Sequence, residues 1–354
     1  MTQTAVVILN YNGQELLKKF LPSVLKFSGK AKIIVADNNS SDGSVDVLTK
    51  EFPQVEVVRI PGNLGFSGGY NYAFSKIEAE YFVLLNSDVE VTEKWIEPVI
   101  SLFENNPSIG AAQPKILSYS ERQNFEYAGA AGGFIDSLGY PFCRGRIFNS
   151  LEKDNHQYDD NLPVFWATGA CMFVKAALFK KMGGLDEDFF AHMEEIDLCW
   201  KLNRAGYSVF YQGASTVYHV GGGTLSATNP RKTYLNFRNG LSLIFKHFSS
   251  RQLLWKFPVR MLLDWVAAAK FLLEGSGANG IAVLKAHFNF VASLKREIKK
   301  RNLLKNEIPN FSVKNDYKGL IIYDYYLKKR RNFGELQNMK LLIPRNGLKI
   351  SNPK

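Results

Sequence analysis

Cys143, Cys171 and Cys199 are the only cysteines in 354 residues, too few and too widely spaced for a disulfide framework or a Cys-x-x-Cys metal knuckle. That scarcity fits a reducing compartment. A membrane-spanning run is also missing, since no stretch reaches the roughly 18 uninterrupted apolar residues such a helix needs. The nearest approach, residues 261–273, is broken by Asp264 and Lys270. No basic segment leads into an apolar one ahead of residues 5–9, so no secretory leader is expected. Acidic side chains are scarce in one region: residues 295–354 hold sixteen Lys/Arg against five Asp/Glu. That excess equals the formal net charge of +11 and leaves residues 1–294 near neutral. A basic tail on a neutral body suggests an anionic partner such as a membrane surface, or else a solvated face. Nucleic acid is not expected, because no helix-turn-helix or RNP-like segment is present.

What remains is the composition of a globular protein: 46% hydrophobic and 22% charged residues, enough for one large domain and an appendage. Strand-like runs at residues 5–9, 32–36, 55–60 and 81–85 alternate with helical patterns at 15–25, 44–52 and 70–77. Continuous apolar strands between amphipathic helices predict an α/β fold, a mostly parallel sheet with helices on both faces. Ligands of such sheets bind at the carboxyl ends of the strands, which here carry Asn10-Tyr11, Asp37 and Asn86-Ser87-Asp88. Residues 110–165 mix glycine, aromatic and polar residues and have no clear assignment. A strand at 170–174, a helix at 194–205 closed by Gly206, and a strand at 208–211 follow. From about residue 232 long helices are expected. In residues 251–274, Lys256, Arg260, Asp264, Lys270 and Glu274 share about 120° of the helical wheel. The rest of that helix is apolar, so it must pack on protein or lie in a membrane interface.

Several groups suit phosphate and metal chemistry. Asp37 closes the second strand within ADNNSSDGS. It can accept the imide N–H of uracil or thymine, or simply serve a turn. Residues 62–71, GNLGFSGGYN, form a glycine-rich loop entering a helix, where backbone N–H groups and the helix dipole favour anions. The loop matches neither the GxxxxGK[ST] nor the GxGxxG spacing. Asp88, just past a strand, suits the hard magnesium or manganese ion that a diphosphate carries, or caps a following turn. Asp186, Glu187, Asp188, Glu194, Glu195 and Asp197 form a carboxylate cluster in which one member would serve as general base, or in which acids merely favour a helix N-terminus. Glu194 and Asp197 share a helix face and Glu195 points elsewhere. His219 ends a strand and reads as a metal ligand or a core histidine.

Taken in order, VVILNYNG, ADNNSSDGS, NLGFSGGYN, LLNSDVE, WATGACMFVK, FFAHMEEIDLCWKLNRAGY and VYHVGGGT resemble the family-2 glycosyltransferases of GT-A fold, in particular the bacterial rhamnosyltransferase-like branch. The resemblance spans residues 1–224. It implies a catalytic domain over residues 1–228, with residues 229–354 as a helical, basic, membrane-associating region. Asn10, Tyr11 and Asp37 would hold the nucleotide base. Asn63, Gly65, Gly69 and Asn71 would shape the loop near the ribose and diphosphate, with Asn86 beside them. Asp88 would bind the divalent cation, magnesium or manganese, and His219 would complete its site. Trp166, Thr168 and Gly169 would line the acceptor side, with Asp197 nearby. Glu195, supported by Glu194, would be the catalytic base. The family's DxD triplet here begins with Asn86, and Glu195 stands where Asp is usual.

These roles imply an inverting transfer of a sugar from a UDP- or dTDP-linked donor to a glycan acceptor on a polyprenyl diphosphate, in cell-surface polysaccharide synthesis. The protein would work in the cytoplasm, peripherally on the inner face of the membrane. A sugar-phosphate nucleotidyltransferase and an inactive nucleotide-sugar-binding scaffold are the alternatives.

Overall fold

The computed structural model describes residues 4–221 and 229–336. The chain begins with β1 (Thr4–Asn10), α1 (Gln14–Phe27), β2 (Lys32–Asp37), α2 (Ser44–Glu51), β3 (Glu56–Arg59), α3 (Gly65–Ser75) and β4 (Tyr81–Asn86). The short β5 (Val89–Val91), α4 (Glu97–Asn105) and β6 (Ile109–Ser118) follow. β1 is apolar from Ala5 to Leu9 and almost wholly buried, as expected of a strand covered on both faces. β3, β2, β1 and β4 pair in parallel, and the β1–β2 register sets Asn10 beside Asp37.

The stretch without a sequence assignment folds as a small antiparallel sheet of β7 (Gly133–Ile135), β8 (Pro141–Cys143), β9 (Arg146–Ile147) and β10 (Ser150–Leu151). The main sheet is completed by β11 (Asn161–Val164), β12 (Cys171–Lys175) and β13 (Ser208–His219), in the order β11-β13-β6-β12-β4-β1-β2-β3. β12 runs antiparallel between β4 and β6, so the half of the sheet from β12 to β11 is mixed. β13 extends eight residues beyond the predicted strand end at 211, and its register on β6 jumps between Gln212 and Thr216. The jump falls opposite Pro114, which has no N–H to give the ladder. Beyond the jump β13 continues to His219, beside β5.

α5 (Ala176–Lys181) and α6 (Glu194–Arg204) lie between β12 and β13. Four long helices follow, α7 (Pro230–His247), α8 (Ser250–Leu273), α9 (Gly277–Ala292) and α10 (Leu294–Glu307), and a segment with two short turns at Tyr323–Leu327 and Phe333–Glu335 ends the described chain. The four helices have no core of their own: Leu241, Ile244 and Phe290 join the same apolar cluster as Phe74, Trp166 and Trp200. The expected domain boundary at 228, the end of the VYHVGGGT motif and the last part of the basic tail lie outside the described residues.

In α8, Lys256, Arg260 and Asp264 of the polar stripe face inward, while Lys270 and Glu274 at its end stay exposed and pair with each other. Arg260 bonds Asp264 at 3.0 Å and the Gly139 carbonyl at 3.2 Å, and the Tyr140 hydroxyl donates to Asp264 at 3.0 Å. The apolar side faces outward, with Leu273 at 90% exposure.

Candidate active site

The carboxyl ends of β1 and β2 are cross-braced. The Asn10 side-chain amide donates to Asp37 and to the Ser40 hydroxyl, each at 3.1 Å, and the Ser40 N–H donates to Asp37 at 3.1 Å. Asp37 is thereby satisfied from within, which answers the cost of burying a strand-end carboxylate. Asn10 Oδ1 is buried with no hydrogen-bond partner among the described residues. Tyr11 stands half-exposed on the rim.

α3 starts at Gly65, five residues earlier than its spacing predicts, and the glycines serve packing. Gly65 has φ +69°, and a Cβ there would sit 2.5 Å from the Phe190 ring. A Cβ on Gly69 would come within 2.7 Å of Leu9. The first amides of α3 are already engaged: Phe66 donates to the Phe190 carbonyl at 2.7 Å and Ser67 to the same oxygen at 3.4 Å. The loop is therefore not an open phosphate cradle at those two amides, contrary to what its composition suggests. Asn63 accepts from Gly65 N–H and from Asn38. Asn71 spends its amide on the Leu185 backbone and on Glu187, tying α3 to the acidic segment.

Asp88 and His219 meet. Asp88 Oδ1 lies 3.1 Å from His219 Nε2, and Asn86 Nδ2 lies 3.3 Å from the same nitrogen. The backbone fixes them: His219 pairs with Val89, and Val220 N–H donates to the Asp88 carbonyl at 3.1 Å. Glu126 closes the ring from the other side, 3.2 Å from His219 Nδ1. Glu126 lies in the stretch that had no sequence assignment, and a single glutamate in NFEYAG gives no signal of this role. Burial alone would lower the His219 pKa, but Asp88 and Glu126 outweigh it and hold it up at about 10. Burial likewise raises the Asp88 carboxyl, and His219 pulls it below its usual range.

These residues fit a divalent cation that takes the place of the proton His219 Nε2 now shares with Asp88. Two neighbouring ligands of an octahedral ion at ~2.1 Å stand about 3.0 Å apart, close to the Asp88–His219 spacing. Glu126 lies 3.2 Å from the far ring nitrogen, where a carboxylate can orient a ligating imidazole. Among the described residues no three His, Cys, Asp or Glu side chains form a complete cage. An ion here would need further oxygens, which a diphosphate supplies.

The acidic segment divides into two. Asp186 pairs with Lys246 at 2.6 Å and with Lys300 at 2.5 Å, and Asp188 pairs with Arg296 at 3.2 Å. These acids pin α7 and α10 to the body. Asp197 departs from its expected place on the substrate side. It is fully buried, 2.8 Å from both Lys246 and His247 and 3.2 Å from Lys201. Burial would raise its pKa, but Lys246 and Lys201 hold it well below the usual carboxylate range. It joins α6 to α7 and presents nothing to a ligand.

Glu194 and Glu195 are different. Each has an oxygen with no partner among the described residues. Burial lifts Glu194 well above the ordinary range, with the neighbouring Glu195 adding to it, and lifts Glu195 to about 7. Glu195 is the less buried of the two. The segment before them is strained: Phe190, His192 and Met193 all have positive φ, at 64°, 70° and 74°. Asn239, buried in α7, holds it there by donating to the carbonyls of Phe189, Ala191 and His192 at 3.1, 2.9 and 2.7 Å. A lone mid-helix asparagine gave no sequence signal of that.

Residues 166–170 connect these groups. Asn86 N–H donates to the Ala170 carbonyl at 3.0 Å, and Ala167 N–H reaches Cys199 Sγ on α6 at 3.4 Å. Gly169 faces Phe66 so closely that a Cβ would sit 2.9 Å from its ring. Thr168 accepts from Ala170 N–H at 3.2 Å. Trp166 is buried with its indole N–H on the Phe134 carbonyl at 2.8 Å, so it offers no free donor to an acceptor. The end of β4, the start of α3 and helix α6 thus converge on one short segment.

A mostly parallel sheet carrying this arrangement, with a helical region after it, defines a GT-A glycosyltransferase. The chain belongs to Glycosyl transferase family 2, whose description matches residues 5–183. It is 25% identical over 321 residues to the N-acetylglucosaminyl-diphospho-decaprenol L-rhamnosyltransferase of Mycobacterium tuberculosis, covering 84% of this chain and 95% of that one. Among solved structures it resembles S. aureus TarS 1–349 in complex with UDP-GlcNAc, with a TM-score of 0.55, 15% identity, and 87% and 89% of the two chains covered. It also resembles the mannosyltransferase PcManGT from Pyrobaculum calidifontis in complex with GDP-Man and Mn2+, with a TM-score of 0.50, 13% identity, and 86% and 85% covered.

Proposed function

We propose that this glycosyltransferase inverts the anomeric centre as it moves a sugar from a UDP- or dTDP-linked donor to a glycan acceptor carried on a polyprenyl diphosphate. The observation that carries the reading is Glu195: an unpartnered carboxylate oxygen, with a pKa near 7, on the helix that residues 166–170 link to the end of β4. A base must be deprotonated at working pH yet basic enough to take a proton, and a pKa near 7 meets both needs. Glu195 takes the proton of an acceptor hydroxyl. That oxygen bonds the anomeric carbon from the face opposite the nucleotide. The bond from that carbon to the diphosphate breaks, and its electron pair leaves with the diphosphate. Asn10, Asp37 and Tyr11 border the place for the base. Asp88 and His219 would hold a magnesium or manganese ion, which when bound neutralises charge on the departing diphosphate.

The name of the mycobacterial relative supports a polyprenyl-diphosphate acceptor, and a lipid-borne acceptor implies work at a membrane surface. A panel of UDP-, dTDP- and GDP-sugars with manganese, read as thermal stabilisation of wild type and Asp88→Ala, tests the donor site. Stabilisation by one donor that needs both the ion and Asp88 is expected. Donor binding without transfer to any lipid-linked acceptor would favour the inactive scaffold. A product that keeps the donor's anomeric configuration would overturn the inverting scheme.

A further inference from the structure

α8 is built inside out. In a helix on a water-soluble surface the charged stripe faces solvent and the apolar stripe faces the core. Here Lys256, Arg260 and Asp264 are buried, while Leu254, Trp255, Leu262, Trp265, Val266 and Leu273 are exposed, the last three at 49%, 65% and 90%. At 100° per residue these positions fall within about 120° of the helical wheel and so lie along one face. α9, packed beside α8, continues that surface: Ile281, Leu284, Phe288 and Val291 repeat at helical spacing and are 51%, 52%, 73% and 58% exposed. Ten large apolar side chains on two adjacent helices are not the scattered exposure of an ordinary surface. The inward charges oppose a helix turned the other way: rolling α8 to hide its apolar face would break the bonds from Arg260 to the Gly139 carbonyl and from the Tyr140 hydroxyl to Asp264.

Charge selects what covers the face. α9 contains no Asp or Glu, and the only acid within α8 is the buried Asp264. Where α7, α9 and α10 meet, a groove of ≈ 650 Å³ is lined by Tyr234, Lys295 and Lys299, and by Arg238 and Arg296, which also bond the Asp188 carbonyl and carboxylate. A second copy of the chain would bring the same cations against these and offer few acids to pair them. An anionic bilayer offers hydrocarbon for the apolar side chains, a headgroup layer for the two tryptophans, and phosphates for the groove. No described helix is long and apolar enough to cross a membrane, so the contact is lateral.

We propose that the outer face of α8 and α9 seats in the surface of an anionic membrane, with the groove between α7, α9 and α10 receiving lipid phosphate. The purpose of such docking rests on the lipid-linked acceptor read above, but the contact itself needs no acceptor and no donor. The test is co-sedimentation of the full chain with phosphatidylcholine vesicles and with phosphatidylcholine–phosphatidylglycerol vesicles, together with tryptophan emission and size-exclusion chromatography. Wild type is expected to bind the mixed vesicles and to shift its emission to the blue. The pair Leu262→Asp and Val266→Asp should cut partitioning about tenfold or more. The pair Lys295→Ala and Lys299→Ala should cut it about threefold to tenfold and leave a weaker dependence on salt. Both pairs should keep wild-type circular dichroism, and both should still transfer sugar to a detergent-dispersed acceptor. Wild type left in the supernatant with the mixed vesicles would overturn the proposal without touching the transferase reading. So would a dimer that Leu262→Asp and Val266→Asp split while vesicle binding is absent, which would make the face a self-association surface. Vesicle binding without any sugar transfer would uphold the docking face and sink the transferase reading alone.

Discussion

Asn239 Nδ2 donates to the carbonyl oxygen of His192 at 2.7 Å, so a side chain on α7 holds the backbone that leads into the helix of the proposed base. Three residues of that segment sit at positive φ, and Asn239 binds three of its carbonyls. Asn239→Ala should therefore lower kcat by about tenfold or more, since small displacements of a catalytic group are costly. Donor binding, measured by thermal shift, should survive, because Asn10, Asp37, Asp88 and His219 lie on other elements. Equal losses in donor binding and kcat would assign Asn239 to general folding instead.

The acidity of Glu195 sets a pH profile. Its folded pKa near 7 lies above the ordinary glutamate value, so the base is deprotonated only as pH rises through about 7. Transfer should climb through that window and level off above it. Stability runs the other way. Between the unfolded and folded pKa values the folded state holds more proton than the unfolded one, so this group's contribution falls as pH rises toward 7. Glu195→Gln should reduce kcat by about a hundredfold to ten-thousandfold. It should also raise the melting temperature above pH 7. A variant that loses activity and also loses stability at pH 8 would contradict this account of the site.

Glu126 touches His219 on the nitrogen that faces away from Asp88. Replacing it with glutamine keeps the shape but removes the charge that orients the ring. Manganese affinity in the presence of a nucleoside diphosphate, read by electron paramagnetic resonance, should weaken about tenfold to a hundredfold. Unchanged affinity would show that His219 is held by β13 alone.

Asp197 is a structural charge. Three basic side chains converge on it in a fully buried place. Asp197→Ala leaves Lys246 and Lys201 short of their counter-charge and should cost about 3–5 kcal/mol in urea unfolding. A much smaller loss would mean that Asp186 and backbone carbonyls suffice for both lysines.

The sequence made the sheet legible because its strands announce themselves as apolar runs and end in polar residues. Asn10 and Asp37 could be set side by side from that alone, and they are. The glycine-rich loop has a packing role that its composition alone does not name. Glycine permits close approach by anything, and here the approaching groups are Phe190 and Leu9. Asp197 looked available because i,i+3 spacing reveals a shared helix face but not which lysine lies across from it. Glu126 and Asn239 were invisible because each acts across more than 45 residues of chain on a partner that no local pattern names. For α8 the wheel grouped five charges but did not show which way each turned: Lys256, Arg260 and Asp264 go inward and Lys270 and Glu274 stay exposed, since inward-facing charges need partners such as Tyr140 and Gly139 that lie over 100 residues away.

Those partners have one more effect. Apolar contact lets a helix roll about its long axis at little cost, whereas the bonds from Arg260 and Asp264 to Tyr140 and Gly139 are directional and would all fail with a roll of one residue. The outward face of α8 thus cannot turn independently of the sheet. Whatever plane it comes to rest on, the sheet that carries Asp88 and His219 takes a fixed bearing to that plane.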